Sequence, residues 1–294
     1  MKNKYIHELV ETWRAVYSSE SPLQTLQEID GAYPTELLNE MNQPDFLMPE
    51  PFYGPFEQDM RNDLLLLLMN PGQVYLQEKY APIINRKTAE RYTYWCREDF
   101  LQECGRLDQE KIKIPRSRNI CDPACVLHDL SWSGCRWRRI RYREAKFDVQ
   151  LSFDLLNTME YIPYHSKNYN DLGEIKEWMH NATSTKLAFN AVCEIANNCL
   201  VKYIVSLGGA WIQILNSQGY APIEDKTIRS SSGGILGRLI KYQLSQESLP
   251  IVIHLVASAV KFPANKVVIN EMRRMLGEPA LDFTINGETI HDNL

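Results

Sequence analysis

Two rhythms of apolar residues alternate along the chain. Near the N-terminus Leu9, Val10, Trp13, Val16 and Tyr17 fall at helical spacing with polar residues between them. The stretch LLLLLM, Leu64 to Met69, has no polar position and runs straight into Asn70, Pro71 and Gly72. A run so short and continuous predicts a strand buried on both faces, as in a parallel sheet, and is far below the roughly 20 apolar residues of a membrane span. Pro71 has no amide hydrogen for a central ladder, so the strand stops and presents Asn70 at its carboxyl end. FDLLNTMEYIPYHSK, Phe153 to Lys167, predicts a second strand closing at Pro163. A helix follows over Ser184 to Asn198, with Leu187, Ala191 and Ile195 on one face. KYIVSLGGAWIQIL, Lys202 to Leu215, predicts a buried strand, a double-glycine turn and a helix start; Leu249 to Asn265 predicts the last strand, with a helix opening near Pro263.

Four apolar strands separated by helical patterns imply right-handed crossovers and a three-layer α/β/α fold with a central parallel four-stranded sheet. The expected organisation is an N-terminal helical extension over 1–60, an α/β/α domain over 61–280 with an insertion at 81–147, and a C-terminal tail over 281–294. Parallel strands point their carboxyl ends the same way. Asn70, the segment Glu160 to Lys167, the turn Ser206 to Gly209 and the turn at Ala257 and Ser258 should therefore meet at one edge, where open α/β sheets bind ligands.

Composition narrows the partners. A formal net charge of −5 argues against indiscriminate polyanion binding but leaves room for a local basic groove. CRWRRIRYREAK, Cys135 to Lys146, supplies one: Arg136, Arg138, Arg139 and Arg141 are interleaved with Trp137 and Tyr142, a mixture suited to phosphates and stacked bases, although a solvated face would also read this way. Seven cysteines without a regular framework suit a reducing compartment, and the N-terminus lacks the apolar core of a secretory leader, so a cytoplasmic protein is expected, with no membrane association. Cys121, Cys125, His128 and Cys135 lie close enough to hold a metal, but the first pair is spaced three apart and not two; no metal is expected.

The strand closing in Asn70-Pro-Gly72 resembles the first motif of the uracil-DNA glycosylase superfamily, in its single-strand-selective and thymine-DNA branches. Val205-Ser-Leu-Gly-Gly-Ala210 is similar to that family's third-strand turn, and Ala257-Ser-Ala-Val-Lys-Phe-Pro-Ala-Asn265 to its last motif. The resemblance implies a monofunctional DNA glycosylase with that family's fold, acting as a monomer on a flipped base without an organic cofactor. Base excision passes through an oxocarbenium-like sugar, so it needs a held water and relief for the charge leaving with the base. The resemblance gives the water to Asn70, places Met69, Pro71, Gly72 and Gln73 beside the base, and makes Tyr75 a stacking or packing side chain.

At the second strand this chain departs from the family. Where relatives have Asn-x-x-Pro, it has Glu160-Tyr-Ile-Pro163. Cytosine offers an amino group and a bare ring nitrogen; a carboxylate accepts from the first, and a protonated carboxyl also donates to the second. Glu160 is thus read as both base reader and general acid, the latter because a carboxyl withdrawn from water holds its proton. The competing alignment makes Asn157 the reader, as in the classical uracil enzymes, and returns uracil as substrate. Removing ordinary cytosine would destroy the host's own genome, so the target must carry an extra mark. The sequence is similar to phage-defence glycosylases that excise hydroxymethyl or glucosylated cytosine, and Tyr164, His165, Ser166 and Lys167, just past the strand end, are polar enough to meet a sugar or phosphate. A silent nucleic-acid binder is the remaining alternative. In the last motif Val256 stands where relatives have a histidine; His254 lies one pleat further from the edge, so a core role is preferred for it over contact with the base. Ser258 is expected to grip phosphate, and Lys261 to Asn265 to hold the duplex open.

Overall fold

The computed structural model describes residues 3–35, 51–53, 64–69, 156–164, 173–255, 265–280, 284–285 and 288–289. These fall into two compact units. Helices α1 (Lys4–Ser18) and α2 (Pro22–Asp30), strands β1 (Phe52–Tyr53) and β3 (Leu156–Glu160), α3 (Gly173–Asn181) and most of α4 (Thr183–Asn197) belong to the first. Strands β2 (Leu64–Leu68), β4 (Tyr203–Leu207), β5 (Glu224–Arg229), β6 (Ile235–Tyr242) and β7 (Ile251–Leu255) belong to the second. So do α5 (Ala210–Ser217), α6 (Lys266–Met275) and the short pair β8 (Thr284–Ile285) and β9 (Glu288–Thr289).

In the first unit α1 forms where the apolar stripe predicts it. Ile6, Leu9, Val10, Trp13 and Val16 are all buried, and each fully buried large side chain contributes about 1.5 to 3 kcal/mol. The Ile6 amide donates to the Glu194 carboxylate of α4 at 2.8 Å. Pro22 opens α2 where a missing amide hydrogen costs nothing, and Gly31, at φ +87°, ends it in a conformation other residues resist. β1 pairs antiparallel with β3, Phe52 opposite Met159. Ile175 and Met179 bury one side of α3.

The second unit carries the strands that the apolar runs predict. All five leucines of β2 are buried; β2 lies parallel to β4 and β4 parallel to β7, with Leu66 opposite Val205 and Val205 opposite Val252. The sheet does not stop there, and this overturns the expected central parallel four-stranded, uracil-DNA-glycosylase-like α/β/α sheet. β6 runs antiparallel beside β7, and β5 antiparallel beside β6, so the sheet is mixed, with the order β2-β4-β7-β6-β5. The physical reason for the misreading lies in β5. It is an edge strand in which Ile228 alone is buried, and its Glu224, Asp225, Lys226 and Arg229 read as loop while protecting the edge from further pairing. α5 buries Ala210, Trp211, Ile214 and Leu215. α6 buries Val268, Ile269, Met272 and Met275, and Lys226 and Arg274 tie it to β5 through Glu271 and Glu224. Among the described residues no helix is long and apolar enough to cross a membrane.

Candidate functional site

In the second unit the carboxyl ends of β2, β4 and β7 are drawn together by backbone and glycine. The Trp211 indole of α5 donates to the Leu68 carbonyl at 2.6 Å, fixing the last residue of β2. The Gly208 amide donates to the His254 carbonyl at 3.0 Å, joining the β4 turn to β7. Gly208 has φ +95°, and a Cβ there would stand 2.9 Å from the Met69 sulfur; one on Gly209 would stand 3.3 Å from Leu255 Cδ2. The turn thus needs glycine for its conformation at 208 and for close approach at both positions. Met69, half-buried, is held against this turn, and the next residue in the chain is Asn70.

The first unit holds the carboxylate that the sequence singled out. Glu160 ends β3 with only 3% of its surface exposed, and its amide donates to the Pro51 carbonyl at 2.9 Å. The four residues after it are buried as well. Tyr161 OH and His180 Nδ1 lie 2.5 Å apart. Tyr164 donates from its hydroxyl to Asp30 Oδ2 at 2.8 Å and lies 2.9 Å from the Tyr33 hydroxyl. Asp30 also accepts from the Ser184 amide (2.7 Å) and hydroxyl (2.8 Å), so a residue of α2 caps the start of α4 from afar. Trp178 packs edge-on against Tyr33, with ring centres 5.1 Å apart. Burial raises the affinity of Asp30 for a proton against the opposing pull of the Ser184 and Tyr164 hydrogen bonds. Burial also pushes the Tyr33 and Tyr164 phenols up, reinforced by the neighbouring Asp30 charge.

Several expected site residues lie outside the described residues: Asn70, Pro71, Gly72, Gln73, Tyr75, His165, Ser166, Lys167, Ser258, Lys261, and Arg136, Arg138, Arg139 and Arg141, together with Cys121, Cys125, His128 and Cys135. Asn157 sits in β3, where only its backbone is described. His254 is 1% exposed, between Leu207 and Leu239 in the sheet, with Nε2 only 3.1 Å from where a Cβ on Gly237 would be. Asn265 caps α6, its side-chain oxygen accepting from the Val267 amide at 2.9 Å, so that oxygen is already engaged. Burial pushes the Cys193 thiol up to about 12, which removes it as a nucleophile near neutral pH. Asp30, Tyr33, Tyr161, Trp178, His180 and Ser184 escaped the sequence reading. Asp30-Gly31 looks only like a helix end, and its partners stand more than a hundred residues away.

No protein-family model matches this chain, and no curated protein and no solved structure is similar to it.

Proposed function

We propose that this chain is a monofunctional DNA N-glycosylase whose target is a flipped cytosine bearing a hydroxymethyl or glucosyl group, as in foreign phage DNA. The observation that carries the reading is the burial of Glu160 at the end of its strand, inside a segment buried from Met159 to Tyr164. A carboxyl at a strand end can meet the amino group and ring nitrogen at the edge of a flipped cytosine.

In the proposed step the bond between the anomeric carbon and the base nitrogen breaks, and its electron pair leaves with the base. Glu160 accepts from the exocyclic amino group and delivers its proton to the base, neutralising the departing charge. Asn70 orients a water whose oxygen bonds to the anomeric carbon as its proton is lost to solvent, leaving an abasic sugar.

Labelled oligonucleotides carrying uracil, cytosine, hydroxymethylcytosine or glucosylated hydroxymethylcytosine, incubated with the protein and then cleaved by alkali, test the proposal. Strand breaks are expected at the modified cytosines alone, falling by about 100-fold or more in Asn70→Ala and in Glu160→Gln. Cleavage at uracil that survives Glu160→Gln would transfer the reading role to Asn157, and absence of cleavage on all four would refute the enzyme assignment.

A further inference from the structure

The hairpin of β5 and β6 overhangs the edge at which β2, β4 and β7 end. Because β6 is antiparallel to β7, it begins at the carboxyl end of the parallel strands; Arg238 stands opposite Leu255, the last residue of β7. Ile235, Leu236 and Gly237 therefore carry the strand past Leu255 by about 10 Å at the usual rise per residue, and the turn Ser230 to Gly234 lies at their far end.

The turn is ordered by its own bonds. The Ser230 amide donates to the Gly234 carbonyl at 2.8 Å, the Gly233 amide to the Ser230 carbonyl at 2.9 Å, and the Gly234 amide to Ser230 Oγ at 3.0 Å. Arg229 Nη1 donates to the Gly233 carbonyl at 3.0 Å, which spends one of five guanidinium donors. The segment RSSSGGILG, Arg229 to Gly237, contains one cation, three hydroxyls and no carboxylate in a chain of net charge −5. Arg238, the next cation, is matched bidentately by Asp225. Ile235 is 66% exposed, the highest value among the exposed large hydrophobic residues described; Val267 of α6, next to the Val268 that touches Gly237, is exposed as well.

A single exposed isoleucine is ordinary on a protein surface. This one differs in standing on a pre-ordered arm beyond the ends of the parallel strands, opposite Arg229 and at the foot of a turn with three serines. The charged outer strand β5 discourages pairing with another strand, which leaves the tip as the contacting part. The Ser230 and Ser232 hydroxyls lie 2.8 Å apart, which leaves the Arg229 guanidinium and the Ser231 hydroxyl as the outward donors. An acid-free tip offering these beside an aliphatic side chain suits a polynucleotide: donors for phosphate oxygens, and an apolar wedge for the face of a base whose neighbour has left the stack. We infer that the β5–β6 hairpin tip is a nucleic-acid-contacting arm, in which Arg229 and Ser231 hold backbone phosphate and Ile235 packs against a base flanking the extruded nucleotide. The inference rests on the glycosylase reading and adds to it a contact surface separate from the strand ends.

The test is fluorescence anisotropy with a labelled duplex over a series of salt concentrations, alongside abasic-site formation, for the full chain and for Arg229→Gln, Ile235→Ala and Ile223→Ala. Ile223 is the control, since it is 58% exposed at the opposite end of the hairpin. All three side chains are exposed, so thermal melts should be unchanged. Arg229→Gln should weaken binding severalfold and lower the slope of log affinity against log salt by about 1, Ile235→Ala should weaken it by about threefold to tenfold, and Ile223→Ala should match the parent. If the parent binds and cleaves DNA while the two tip variants bind as it does, the arm is refuted and the glycosylase reading stands. If the tip variants lose affinity while the parent leaves no abasic sites, the arm stands and the glycosylase reading falls. A parent that binds no DNA refutes both.

Discussion

Asp30 shows how much one side chain can carry. Its two oxygens accept from the Tyr164 hydroxyl, the Ser184 amide and the Ser184 hydroxyl, and Tyr33 completes the chain through Tyr164. Asp30→Ala would leave those donors without their acceptor, a loss of about 2 to 3 kcal/mol that urea unfolding should register. The pH dependence has a definite sign. Folding raises the proton affinity of this carboxyl above its ordinary value of 3.8, so its contribution to stability is full below that value and fades as pH climbs through the raised folded one. Asp30→Asn cannot ionise. Its urea midpoint should therefore gain on the parent's as pH rises from about 4 towards neutrality, and parallel curves would show that the Asp30 proton is not coupled to folding.

Among the elements, the turn between β4 and α5 makes the sharpest demand on sequence. Gly208→Ala must adopt φ +95° and push back the Met69 sulfur 2.9 Å away, whereas Gly233→Ala, at φ +86°, has open space around it. The conformational cost of about 1 to 3 kcal/mol is shared, but only the first substitution displaces the residue before Asn70. Gly208→Ala should therefore lose abasic-site formation well beyond what its melting temperature explains, and Gly233→Ala should not; equal losses would separate Met69 from the chemistry. This turn was legible in the sequence because β2, β4 and β7 are largely buried, and apolar apart from Ser206 and His254. β5 and β6 were not legible. β5, an edge strand with one buried residue in six, carries no alternation to read, whereas β6 buries Leu239, Ile240 and Tyr242 but is interrupted by Gly237, Arg238 and Lys241, so it did not stand out as an apolar run. Glu160 was legible as a strand-end carboxylate through its place before Pro163, but the residues that fasten its segment were not.

At the scale of the molecule, the two units explain what a linear reading loses. The N-terminal helices group with β3, α3 and α4. The contacts responsible span long stretches of chain: the Ile6 amide reaches Glu194 across 188 residues, and the Tyr33 and Tyr164 hydroxyls meet across 131. Periodicity reports which face of a helix is buried but not what covers it, so these pairings had no local signature. They tie α1 to α4 and the end of α2 to Tyr164, four residues beyond Glu160. Removing residues 1–35 would uncover the α4 side chains that meet α1 and strip Tyr164 of both its hydroxyl partners. The truncated chain should melt at least about 5 °C lower, with new protease cuts between residues 157 and 194. Its selection among modified and unmodified cytosine should blur before all cleavage is lost, because Tyr164 anchors the segment that ends β3 while Asn70 follows a strand of the other unit. A truncation that melts and discriminates like the parent would show that the β3 segment is held in place without the N-terminal helices.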